Sequence, residues 1–105
     1  MPVVYSARQQ VENQPWLDRI ESAADELNIG QEGRTTAREL FLSHLPAEER
    51  SKPAVAAASL YAGALIAGEE RSQQAVADAM DVSRLSVHSR WKPLLESAGF
   101  QAPTW

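Results

Sequence analysis

Arg84, Leu85, His88, Ser89 and Lys92 recur at intervals of three and four residues, the spacing that gathers side chains onto one face of a helix. Their types suit an anionic polymer. Arg84, His88, Ser89 and Lys92 are candidates for contact with phosphates or base edges, and Leu85 can lie against a thymine methyl. Arg90 lies among them but fits a bond to a surface carboxylate equally well. Upstream, Arg71 and Ser72 stand where a preceding helix should begin, and free backbone N–H groups at a helix start can grip a phosphate. Simple capping explains the pair as well.

The elements that must position these side chains are legible around them. Residues 71 to 92 read as two short helices joined by a tight turn, a helix-turn-helix, with the motif proper over 72–92. Ser72 and Ser83 are placed to accept a free N–H at the start of each helix, and Ser83 joins the candidate contact set by its position. Ala77 falls where the helices touch, and Asp81 falls where the turn wants a left-handed backbone, which Asp tolerates better than most residues. Val76, Met80, Val82, Val87 and Trp91 supply the buried side.

The chain has 105 residues and a formal charge of −4, enough for one domain with a modest core. Residues 71 to 92 hold four basic and two acidic side chains, so they are at +2 while the rest of the chain is at −6. Positive charge is therefore concentrated where a helix-turn-helix would meet DNA. The absence of Cys excludes disulfides, zinc ribbons and thiol catalysis. His44 and His88 have no carboxylates around them at metal-ligand spacing, so neither a metal nor a cofactor is expected. No run of apolar residues is long enough to cross a bilayer, and no secretion signal opens the chain, so a cytoplasmic protein without a membrane partner is expected. Two Lys beside eight Arg and fourteen acids suit a cytoplasm of high salt.

Around the motif the periodicity predicts an all-α bundle of five helices over 14–98, flanked by tails at 1–13 and 99–105. Asn13 can cap the first helix, with Pro15 in its first turn and Trp16, Leu17, Ile20, Ala24 and Leu27 at helical spacing until Asn28 and Gly30. Thr35, Thr36, Ala37, Leu40, Phe41 and Leu45 mark a second helix that Pro46 ends. The third, from Pro53, is almost free of charge and rich in Ala, which marks a helix buried on all sides at the centre of the bundle. Pro93 is expected to kink or divide the fifth helix, and Gly99 to end it. The segment around Val3, Val4 and Tyr5, and Trp105 at the other end, are candidate anchors for a protein partner.

Three segments carry a family resemblance: Lys52-Pro53-Ala-Val-Ala-Ala-Ala-Ser-Leu-Tyr61, Gly68-Glu-Glu-Arg-Ser-Gln-Gln-Ala-Val-Ala77 and Asp81-Val-Ser-Arg-Leu-Ser-Val-His-Ser-Arg-Trp-Lys92. Together they make roughly residues 14 to 97 resemble one cyclin-like repeat of transcription factor IIB and its archaeal counterpart, transcription factor B. The last segment is closer to the second repeat of that family than to the first. The resemblance implies a helix-turn-helix that reads promoter DNA beside the TATA box, other surfaces that hold the TATA-binding protein, and no enzymatic activity. It also implies departures. Complete members carry a zinc ribbon and two repeats, whereas 105 residues without Cys accommodate one repeat and no ribbon. Where the family places an Arg against a base, this chain has His88, and a neutral imidazole cannot make the two-pronged contact that Arg makes to guanine.

Two functions follow as expectations. The first is a stand-alone transcription regulator that binds promoter DNA, the TATA-binding protein or both, with pairing of two copies open. The second is a cyclin-like adaptor that binds protein and never touches DNA. Catalysis has no support, because no nucleophile, base and orienting group can be assembled from these motifs.

Overall fold

The computed structural model describes residues 7–102. Among them are six helices and no strand: α1 (Ala7–Glu12), α2 (Gln14–Glu26), α3 (Gln31–Ser43), α4 (Lys52–Ile66), α5 (Gln73–Met80) and α6 (Arg84–Ser97), with a single 3-10 turn at Glu49–Ser51. The five expected helices are α2 to α6, and the all-α architecture with a buried third helix stands. The segments around Val3, Val4 and Tyr5, and Trp105, lie outside the described residues.

α4 is the hub, packed against α2, α3, α5 and α6. Every residue from Val55 to Ala64 is buried, because Ala and Gly side chains let four neighbours approach at once. The closest approach is to α3. A Cβ on Gly63 would come within 2.8 Å of both the Ala37 nitrogen and the Gly33 oxygen. Leu17, Ile20, Ile29, Phe41, Leu60, Val76, Met80, Val87 and Leu95 fill the space around this seam, each almost wholly removed from water.

Three sequence expectations are corrected. Residues 7–12 form the short α1 rather than a tail, although it buries no side chain. Asn13 does stand at the start of α2, but its side chain does not cap that helix; Nδ2 donates back to the Gln9 carbonyl at 2.8 Å, tying α1 to α2. Pro93 does not divide the last helix. α6 runs through it, because Pro93 is on the exposed side, where water can serve a carbonyl left without its backbone bond. Val87 and Trp91 before the proline and Leu94 and Leu95 after it are all buried, so both halves are anchored in the core.

The start of α3 is four residues earlier than Thr35, so it takes in Gly33, which is buried against α4. Arg19 of α2 then ties the front of the bundle to its back. Its Nη2 donates to the Met80 carbonyl at the end of α5 at 2.7 Å, and its guanidinium lies over the Trp16 ring. Trp16 is itself only partly buried, and its Nε1 reaches the Glu49 carboxylate at 3.3 Å.

Candidate nucleic-acid interface

α5 and α6 form the helix-turn-helix. Ser72 caps α5 by accepting from the Ala75 N–H at 3.0 Å, and Ser83 caps α6 by accepting from the Ser86 N–H at 3.1 Å. Between them Asp81 has φ 58° and ψ 47°, the left-handed conformation the turn requires. Ala77 and Val87 are fully buried where the two helices meet, and Val82 is partly buried. Trp91 and Tyr61 of α4 meet in a T-shaped contact, 5.3 Å between centroids, which helps fix the rotation of α6 about its own axis. That rotation decides what faces water.

The outward face holds Ser83, Arg84, Leu85, His88 and Ser89, all exposed, with Lys92 half-buried beyond them. Leu85 is 67% exposed, a large apolar side chain with no intramolecular partner in the core. The Lys92 ammonium lies 5.5 Å from the centre of the Trp91 ring, so its stem follows the core while its charge stays at the surface. No acidic residue occupies the first turn of α5 or α6, so the positive ends of both helix dipoles are unopposed there. Asp78 is engaged along α5, where Gln74 donates to it at 2.8 Å.

Gln73, the first residue of α5, joins the two helices across this surface. Its Oε1 lies 3.1 Å from His88 Nδ1 and 3.4 Å from Arg84 Nη1. Nothing in the sequence singles out Gln73, because its partners on α6 are eleven and fifteen residues away.

Arg71 is occupied in a different way. Its guanidinium donates to the carbonyls of Leu27 at 2.8 Å, Asn28 at 3.0 Å, Glu69 at 2.8 Å and Glu70 at 3.2 Å. It closes the end of α2 onto the loop before α5, while Ser72 spends its hydroxyl on its own cap. These two therefore hold the scaffold, and the side chains gathered at the surface are those of α6. Arg34 and Arg38 are also engaged internally, Arg34 with Glu21, Asp25 and the Ile29 carbonyl and Arg38 with Glu21. Lys52 pairs with Glu49 at 2.9 Å.

Elsewhere, a groove of about 710 Å³ runs between the ends of α3 and α6, lined by Thr36, Leu40, His44, Ser97 and Phe100 among others. Among the described residues no group of three His, Cys, Asp or Glu could hold a metal ion, and no helix is long and apolar enough to cross a membrane.

Comparison with known proteins places this arrangement among relatives. Residues 9–97 match the family model for the transcription factor TFIIB repeat. The chain is similar to transcription initiation factor IIB of Pyrococcus abyssi, 32% identical over 89 residues that cover 82% of this chain and 30% of the relative. It is also similar to transcription initiation factor IIB of Haloarcula vallismortis, 30% identical over 81 residues, covering 72% of this chain and 69% of that relative. Thus the chain spans about 30% of the length of its Pyrococcus relative.

Proposed function

The chain belongs to the transcription factor TFIIB repeat family, and from that premise we propose that it regulates transcription by docking the outward face of α6 into the major groove of promoter DNA. The TATA-binding protein is its second partner. The observation that carries this reading is the charge of that face. Arg84 and Lys92 lie on this side of α6 with no acid in its first turn, in a chain whose overall charge is −4. Positive charge on this part of α6 favours a polyanion there, while the net negative charge of the rest of the chain disfavours one elsewhere.

In this reading the roles divide by chemistry. Arg84 and Lys92 neutralise phosphates, His88 and Ser89 meet base edges, and Leu85 covers a thymine methyl. Ser83 caps α6 through the Ser86 N–H and stands beside the remaining first-turn amides, which can face a phosphate. Arg71 and Ser72 act one step removed, by fixing where α5 begins.

A second reading, a protein adaptor, draws on the groove between α3 and α6, where Phe100 is 44% exposed. A mobility-shift titration with promoter DNA, with and without the TATA-binding protein, separates the two. Retardation of DNA that the TATA-binding protein strengthens supports the first reading. No shift in either condition hands the molecule to the second.

A further inference from the structure

Gln73, Arg84 and His88 form a chain of hydrogen bonds in which each member dictates the state of the next. Arginine has donors only. The Gln73 atom that faces Arg84 Nη1 must therefore be the carbonyl oxygen, and that same Oε1 lies 3.1 Å from His88 Nδ1. An oxygen that can only accept obliges Nδ1 to carry the proton. In a neutral imidazole the other nitrogen, Nε2, then holds a lone pair and no hydrogen.

We propose that this chain of bonds makes His88 a hydrogen-bond acceptor toward DNA, so that α6 selects a base carrying an exocyclic amine in the major groove, adenine N6 or cytosine N4. Gln73 is the residue that determines this specificity without touching the base. The inference rests on the docking of α6 proposed above. A histidine free to choose its tautomer usually protonates Nε2, and would then donate to guanine O6, a purine N7 or thymine O4. Gln73 reverses that polarity. The selected amine group can belong to either of two bases, and both present it at the same edge.

The tautomer is tested without DNA. In ¹⁵N-labelled full chain at about pH 8.5, where an ordinary imidazole is neutral, long-range ¹H–¹⁵N spectra distinguish a protonated ring nitrogen from a bare one. The chain has two histidines, and His44 provides the reference. Its Nδ1 lies 2.8 Å from the Leu40 carbonyl, which can only accept. Both rings should therefore show Nδ1 protonated, with His88→Gln assigning the signals. Gln73→Leu should move His88 alone to the Nε2–H form and leave His44 unchanged. A wild-type His88 with Nε2 protonated, or one indifferent to Gln73→Leu, overturns the proposal.

The consequence is tested by base preference. At one position of a bound duplex the wild type should favour adenine or cytosine by on the order of three- to tenfold, the factor one hydrogen bond carries. Replacing that adenine by purine, or that cytosine by 4-deaminated pyrimidinone, identifies which amine is read and should abolish the preference. His88→Ala should erase it, and Gln73→Leu should shift it toward guanine or thymine while leaving affinity for unrelated DNA near wild type. DNA binding with no position that responds to Gln73→Leu overturns this inference and leaves the docking intact. No DNA binding by a wild type with the expected tautomer instead removes the docking, and with it the proposed readout.

Discussion

Gly63 of α4 faces the backbone of Ala37 of α3 so closely that a methyl group on it would stand 2.8 Å from the Ala37 nitrogen. The atoms it would meet belong to backbone, which cannot swing aside as a long side chain can. Gly63→Ala should therefore lower stability by about 1 to 3 kcal/mol despite the better helix propensity of Ala, and Gly63→Leu by more. Ala57→Leu, at a fully buried position of the same helix, should also destabilise by overpacking. Denaturant midpoints read all three, and wild-type midpoints would mean that α4 is not the tightly packed centre.

Arg71 separates scaffold from interface. Its guanidinium holds the carbonyls of Leu27, Asn28, Glu69 and Glu70, so Arg71→Ala leaves part-buried acceptors unserved. A loss of about 1.5 to 3 kcal/mol is expected, the range for bonds made by a charged donor. DNA affinity of the folded variant should stay near wild type. An unchanged unfolding midpoint together with lost DNA affinity would move Arg71 into the interface.

Tyr61 gives the fold a limit at high pH. Burial raises its phenol above the ordinary value, and the nearby Glu70 carboxylate adds to the rise while the Gln73 side chain opposes it. A raised value means that the folded state holds the proton more tightly than the unfolded state. Its contribution is complete below the ordinary phenol range near about 10 and is lost as pH rises through it. Stability measured from neutral to strongly alkaline pH should fall in that window, and Tyr61→Phe should flatten the fall. Equal slopes in both proteins would show that Tyr61 ionises as freely folded as unfolded.

What the sequence made legible was governed by short-range rules. The caps at Ser72 and Ser83 and the left-handed turn at Asp81 each depend on residues within one helical turn, and the buried α4 is visible in its own lack of charge. What escaped depends on partners far along the chain. Nothing near Gly33 in the sequence shows that Gly63, thirty residues later, lies across from it. Arg71 offers itself as a phosphate ligand until the carbonyls 43 and 44 residues earlier are seen to occupy it. Gln73 is an unremarked first-turn residue until α6 folds back over it. The candidate surface on α6 was legible as a set of residues, while the bonds that fix its polarity were not.

Transcription offers a functional prediction. The 105-residue chain contains no Cys, so this polypeptide by itself cannot build the zinc ribbon that the resemblance gives to complete members. Added to a reconstituted reaction, this polypeptide should reduce initiation at a sensitive promoter, and extra complete factor should relieve the reduction if the two share a surface. Initiation supported by this polypeptide alone would contradict that expectation.

The central claim is that α6 meets DNA through Arg84 and Lys92, and the salt dependence of affinity tests it most directly. Each phosphate contact releases counterions, so the slope of log affinity against log salt counts those contacts. Wild type, Arg84→Ala and Lys92→Ala should be titrated onto promoter DNA over a range of salt concentrations. The account predicts weaker binding by both variants and a slope shallower by about one for each phosphate contact removed, nearly independent of sequence. Identical affinities and slopes in all three proteins would contradict it and place the DNA on some other surface.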